Sequence, residues 1–321
     1  ASMARRELPN IASVAVASDA RLSSRAWFAL AASVALAAWI VIDFPYRPLL
    51  LALALLVYAL ALWFNPRLLW AAIPAAIPLL DLAPWSGRFF LDEFDYLIIV
   101  SLIVAYARVT PGPRDSHRDV LGLTVACLVA TTFAIGTLRG LLPLTLPDAN
   151  AFSNYYSPYN ALRLAKGALW ALLLIVLMHR FTAGGVDIRG SFARGMVFGL
   201  AGTVVVVIWE RLVFPGLFNF TDSYRVTGPF SQMHTGGADI ETYLTAALPF
   251  AVLLTLQSRS LAARMGGGFL LLASSYALAV TFSRVGYAGF AVALIIVCMA
   301  AFLQRKPTTP ATARADTAPS A

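Results

Sequence analysis

Apolar residues in this chain neither alternate singly nor recur at an amphipathic spacing. They come in long runs separated by short stretches that hold most of the charge. Ten such runs stand out, at about 27–44, 48–64, 68–84, 94–109, 120–138, 166–181, 195–213, 238–256, 267–283 and 285–303, each near the roughly 17 to 25 residues that a helix needs to cross a hydrocarbon core. The third run carries Pro74, Pro78 and Asp81. Proline at depth is tolerated where neighbouring helices satisfy the freed carbonyls, so this run is expected inside a bundle.

Composition agrees, since 60% hydrophobic residues and a mean hydropathy of +0.76 leave too little polar surface to cover a water-soluble fold of 321 residues. The expected fold is all-α, a polytopic transmembrane helix bundle with about ten membrane helices. Its expected division is a cytoplasmic N-terminal segment over 1–26, a transmembrane domain over 27–303, and a disordered cytoplasmic tail or linker over 304–321. The stretch before Arg25 is too polar for a signal-peptide core, so the first run is expected to be a retained helix. Of the 24 Lys and Arg residues, sixteen fall at one set of run ends and eight at the other, which places both termini in the cytoplasm. The net charge of +8 is spread over short loops with no compact basic domain, which argues against a nucleic-acid partner. Cys127 and Cys298 lie inside apolar runs and are expected to be small buried hydrophobes, so neither a disulfide framework nor a Cys-based metal site is indicated, and no cofactor is expected.

The eight outside cations need reasons of their own, because topology selection disfavours them there. Arg47 and Lys166 can snorkel at helix ends, and Arg88 has Asp92, Glu93 and Asp95 within reach for pairing. Arg139 and Arg163 bracket a loop, Gly140 to Leu162, whose tyrosines and asparagines suit an interfacial aromatic belt and would also suit sugar contacts. Arg211 follows Glu210 near the end of an apolar run. Neighbours on a helix do not face one another, so each of the two needs a different partner inside the bundle.

The segment from Arg225 to Leu244 is the most chemically dense. It holds Arg225, Thr227, Gly228, Pro229, His234, Gly236 and Gly237, followed by Asp239 and Glu241 in the first turns of an apolar helix. Glycine-rich backbone ahead of a helix can present N–H groups to an anion, and the same carboxylates are ordinary partners of a helix N-terminus. Arg284 sits at the apex of a tight reversal, Thr281 to Gly286, between two apolar runs. Such a reversal is acceptable only in a protein interior or beside a wet cavity.

The elements Arg225-x-x-Gly228-Pro229-Phe230, the helix from Tyr243-Leu244 to Pro249-Phe250, and Ser283-Arg284-x-Gly286 together resemble the O-antigen ligase and O-antigen polymerase superfamily. The resemblance implies a multi-helix enzyme of the bacterial inner membrane, acting at the periplasmic face on undecaprenyl-diphosphate-linked glycan. The acceptor it implies is a hydroxyl of a saccharide or of the lipid A core. The family often carries an Asn soon after the Gly-x-Phe element, where this chain reads Met233-His234-Thr235-Gly236-Gly237. Members also resemble one another in a large outside loop with a functional histidine after the Ser-Arg helix pair. The chain is therefore expected to correspond either to the N-terminal portion of a longer enzyme or to a divergent relative.

Lipid diphosphate leaves readily once its charge is held, so fixed cations matter more than a metal or nucleotide. Arg225 and Arg284 are the expected diphosphate contacts, with Arg211 a third. His234 and Glu241 are the candidate catalytic bases, Asp239 being a further carboxylate in place, and a Glu241–Arg284 pair is expected to hold the arginine. Two other readings use the same residues. A transporter or flippase of lipid-linked glycan would account for ionisable Asp81, Glu210, Arg211 and Glu241 at depth, and a non-catalytic membrane subunit would need none of this chemistry.

Overall fold

The computed structural model describes residues 23–82, 90–109, 120–148, 150–152, 154, 156–221, 224–230, 238–258 and 260–304. Among these the chain is helical throughout, with no strand. Ten α-helices occupy the ten apolar runs: α1 (Ser24–Asp43), α2 (Pro48–Phe64), α3 (Leu69–Leu80), α4 (Glu93–Arg108), α5 (Val120–Gly140), α6 (Asn160–Ala183), α7 (Arg189–Val213), α8 (Ala238–Gln257), α9 (Leu261–Ala279) and α10 (Arg284–Gln304). Six of them contain a stretch long and apolar enough to cross a membrane, namely α1 and α5 to α9, and the apolar parts of α2, α3 and α10 are shorter. The protein is an all-helical, multi-pass membrane protein.

Two compact units divide the chain, residues 1–199 and 200–321, with α7 contributing to both. In the first unit α4 is the hub and packs against α1, α2, α3 and α6. It buries nine of its residues, from Glu93 to Ala105, on several sides. Its buried hydroxyls find partners: Tyr58 of α2 donates to Ser101 at 2.8 Å, Ser101 donates to its own Leu97 carbonyl at 2.7 Å, and Tyr106 donates to the Leu173 carbonyl of α6 at 2.9 Å, while Glu93 Oε2 is buried without a partner. Buried donors in a medium without water must be paired within the protein, and these are.

The N-terminus of α4 is a capping box, in which Asp92 accepts from the Asp95 amide at 3.0 Å and Asp95 accepts from the Asp92 amide at 2.9 Å. Lys166 of α6 reaches the same two carboxylates, bonding Asp95 directly, lying 3.7 Å from Asp92 and donating to the Phe90 carbonyl at 2.6 Å. Trp170, one turn on, donates to the other Asp95 oxygen at 2.8 Å. The snorkelling expected of Lys166 is therefore corrected. Its side chain is partly buried and meets three oxygens, two by hydrogen bond and one as an ion pair, because the buried Asp95 and the partly buried Asp92 at a helix end offer it more than the interface does. Arg88, expected as their partner, lies outside the described residues, as do the segments 1–22 and 305–321.

Cys127 and Cys298 also depart from expectation, since both are exposed. They sit on α5 and α10, whose large apolar side chains, Leu128 and Ile295 among them, are likewise exposed, as befits helix faces whose solvent is lipid. The expectation that α3 packs inside its unit is met: Leu69, Trp70, Ile73, Pro74, Ala76 and Pro78 are all buried. Gly195 of α7 makes this possible. A Cβ there would run into the Ala71 carbonyl of α3 and lie 2.8 Å from Pro74 Cγ, so the two backbones meet where only glycine fits. We predict that Gly195→Ala destabilises the protein by about 1 to 3 kcal/mol, as overpacking does, whereas Gly167→Ala, which opens onto empty space, changes little. Thermal melting of the two variants in the same detergent checks this, and equal melting temperatures would refute the close crossing.

Candidate functional site

The second unit gathers at one end the C-terminus of α7, the N-terminus of α8, the C-terminus of α9 and the N-terminus of α10. Glu210 organises the chain there. Its carboxylate, 5% exposed, accepts from the Tyr224 hydroxyl at 2.8 Å, the Thr227 amide at 3.1 Å and the Gly228 amide at 2.7 Å. A carboxylate holding three donors pins the loop after α7 back onto that helix.

Arg211 uses a separate set of partners, as adjacent helical positions require. It is fully buried, donates Nη2 to the Asn219 carbonyl at 2.5 Å, and holds its guanidinium 5.9 Å from the Phe220 ring. Its Nε and Nη1 have no hydrogen-bond partner. Tyr276 of α9 fastens the same loop by donating to the Leu217 carbonyl at 2.8 Å. Arg211 is thus enclosed under the loop, whereas Arg225 stands exposed on it.

The Arg225-x-x-Gly228-Pro229-Phe230 element has its geometry set by Gly228. This residue has φ +59°, a left-handed conformation that favours glycine, and a Cβ on it would lie 2.8 Å from Ile240 Cδ1 of α8 and 3.2 Å from Val207 Cγ2 of α7. Phe230 is buried and its ring lies 5.7 Å from that of Tyr243, on the next turn of α8. The loop therefore rests on the first turns of α8.

The reversal between α9 and α10 is equally specific. Thr281 is buried and donates to the Leu278 carbonyl at 2.7 Å, and Phe282 turns the chain with φ 51°. Ser283 then caps α10, accepting from the Gly286 amide at 3.1 Å. Gly286 faces α8, where a Cβ would lie 3.0 Å from Glu241 Cβ and 3.2 Å from Glu241 Oε2. Arg284 itself is exposed.

Two contacts with α8, Gly228 on Ile240 and Gly286 on Glu241, bring the Arg225 loop, Glu241 and the Arg284 turn to the same end of this unit. Among the described residues neither arginine makes a hydrogen bond or ion pair. The expected Glu241–Arg284 pair is thus corrected: Glu241 packs against Gly286, two positions past Arg284, and its Oε2 has no partner. Asp239 begins α8 and is exposed. His234, with Gly236 and Gly237, lies outside the described residues. No cluster of metal-ligating side chains occurs among the described residues.

The roles of Tyr224 and Glu210 were not visible in the sequence, although a carboxylate near the end of an apolar helix was a signal that something had to be bound there. Comparison with protein-family models, with curated proteins and with solved structures finds no match in any of the three.

Tyr224 provides a direct readout of the Glu210 anchor. Burial first, and then donation of its proton to Glu210, push its hydroxyl up from the ordinary 10.0 to about 12. The folded pKa lies above the unfolded one, so this bond stabilises fully below about pH 10 and its contribution is lost as pH rises through about 12. We predict that the difference in tyrosinate absorbance between the native protein and Tyr224→Phe titrates near 12, and a midpoint near 10 would show that the hydroxyl is neither buried nor bonded to Glu210. Glu210→Ala should cost about 1.5 to 3 kcal/mol for each charge-assisted bond that finds no substitute, and should open the 224–230 loop to proteolysis before the rest of the unit unfolds.

Proposed function

We propose that this chain belongs to a membrane enzyme of the O-antigen ligase and polymerase type. It transfers undecaprenyl-diphosphate-linked glycan to a hydroxyl of a saccharide or lipid A core acceptor. On this reading it sits in the bacterial inner membrane with ten crossings, both termini in the cytoplasm, and the Arg225 and Arg284 turns at the periplasmic face.

The observation that carries the reading is a division of labour within the two motifs. Gly228 and Phe230 hold one turn, and Ser283 and Gly286 hold the other, by the contacts already described. Arg225 and Arg284 take no part in that support, yet both stand at the end where the turns meet α8. Two exposed guanidinium groups held on separate rigid turns suit the two phosphates of a lipid diphosphate, since each fork can take two oxygens.

In the reaction the acceptor oxygen bonds to the anomeric carbon of the glycan. The bond from that carbon to the diphosphate oxygen breaks, its electron pair leaves with the diphosphate, and the arginines hold the charge that develops. The acceptor proton passes to a base. Glu241 has a carboxylate oxygen free to accept it, and His234, on the segment leading into α8, is the other candidate. Arg211, expected as a third diphosphate contact, is fully buried and donates to the Asn219 carbonyl, so it supports the loop after α7 and is not placed in the clamp.

Purified protein is to be given lipid-linked glycan and acceptor. Arg225→Ala and Arg284→Ala should each weaken lipid-diphosphate binding by about tenfold or more, the loss of about 1.4 kcal/mol that one charge-assisted contact readily supplies. Glu241→Gln should retain binding while transfer falls about 100-fold or more. Undiminished binding in both arginine variants would remove the clamp. The transporter reading draws support from the partly buried Lys166, Asp92 and Asp95 cluster, because ionisable groups inside membrane proteins often mark a transport path. Movement of the glycan across vesicles without transfer would favour it.

A further inference from the structure

We propose that the arginine-rich end of the first unit carries a binding site for the phosphodiester headgroup of an anionic phospholipid, seated between α1 and α4. A pocket of about 320 Å³ opens there, lined by Ser24, Arg25, Phe28, Ile103, Tyr106 and Ala107. Its polar side is supplied by the start of α1: the Arg25 guanidinium, the Ser24 hydroxyl and the positive end of the helix, which Ser23 caps at the Ala26 amide. Its other side is apolar.

The wall opposite is held in place by bonds that leave it nothing to offer a ligand but surface. Tyr106 donates its hydroxyl to Leu173 at 2.9 Å and receives the Arg180 guanidinium over its ring at 4.5 Å. Arg108 is occupied in the same way, over the Trp63 ring at 5.4 Å with Nε on the Trp63 carbonyl at 3.3 Å. Arg25, by contrast, is exposed and makes no hydrogen bond or ion pair among the described residues. It is the cation of the pocket that remains available.

Charge favours an anion strongly. Arg25, Arg67, Arg108, Arg180, Arg189 and Arg194 all belong to this end of the unit, whose one carboxylate among the described residues, Asp187, accepts from the Arg189 amide at 3.0 Å. The carboxylates Asp43, Asp81, Asp92, Glu93 and Asp95 belong to the opposite helix ends. A basic pocket between helices at a membrane surface is the setting in which phospholipid headgroups are held.

The apolar lining selects a lipid over a free phosphate ion. Phe28 is 67% exposed and Trp27 57%, so the pocket opens beside a face that acyl chains cover. A phosphodiester at Arg25 would have its glycerol and chains beside Phe28, burying apolar surface that inorganic phosphate cannot bury.

Native mass spectrometry and thermal melting of the full chain, with phosphatidylglycerol, phosphatidylcholine or inorganic phosphate added in turn, test the site. Phosphatidylglycerol should be retained and should raise the melting temperature, with the other two having little effect. Arg25→Gln should weaken phosphatidylglycerol binding about fivefold, as removal of one cation beside an anionic lipid does, while Arg67→Gln, which does not line the pocket, leaves it unchanged. Equal binding in native protein and Arg25→Gln overturns the site. Equal weakening by Arg67→Gln reduces it to diffuse surface charge, and an equal effect from inorganic phosphate or phosphatidylcholine refutes the anionic lipid as occupant.

Discussion

Backbone amides in hydrocarbon have no water to turn to, and the rest of this structure follows from that constraint. It makes every apolar run a helix and moves all irregular backbone to helix ends, where each exposed amide or carbonyl needs a named partner. At three helix starts the partner is a local side chain: Ser23 for α1, the Asp92 and Asp95 box for α4, Ser283 for α10. The end of α7 is also closed locally, by the Phe214 and Gly216 amides on the Glu210 and Arg211 carbonyls, but the loop that then folds back along this helix has amides of its own to place. Glu210 meets that need by accepting two amides of the returning loop and the hydroxyl of Tyr224.

Buried charge is handled in two different ways. At Lys166 opposite charges meet directly, and the ammonium is surrounded by Asp92, Asp95 and the Phe90 carbonyl. At Glu210 and Arg211 opposite charges are adjacent in sequence yet kept apart by the helix, each turned to a separate piece of backbone. The first arrangement joins two helices. The second shapes a loop, because the carboxylate and the guanidinium draw the chain to two sides of the α7 terminus. Breaking either site leaves an uncompensated charge, which costs more than the intact contact contributes.

Helices were legible in the sequence because their cause is local. The run at 48–64 coincides with α2, and those at 94–109 and 238–256 differ from α4 and α8 by a residue or so. The boundaries that moved most, at the starts of α6, α7 and α9, moved for a physical reason. Segments such as 160–165 and 189–194 carry Asn160 and Arg163 or Arg189 and Arg194, which lower their hydropathy, but a helix continues through polar residues until something stops it. Partner choice was not legible. Lys166 meets Asp95 across 71 residues, and nothing local to Lys166 distinguishes that fate from snorkelling. The Glu241–Arg284 expectation failed similarly, since Arg284 begins α10 and its helix presents Gly286, not Arg284, to Glu241. The need for two separate partners at Glu210 and Arg211 was legible, because it follows from helix geometry alone.

This difference bears on how the two short motifs should be understood. Gly228 has a left-handed backbone and a neighbour 2.8 Å from where a Cβ would stand, so its identity is explained by packing without any ligand. Gly286, against Glu241, and Ser283, capping α10, are explained in the same way. Were the motifs wholly structural, Arg225 and Arg284 would also be expected to bear on the turns, through a backbone carbonyl as Arg211 does or an aromatic face as Arg180 does. They do neither. Each instead stands exposed on a turn that other residues have already made rigid, and rigidity of that kind is what a contact needs if its cation is to meet a fixed charge without first losing conformational freedom. On the proposed reading, the structural glycines and the free arginines are two halves of one requirement, the first holding still what the second presents.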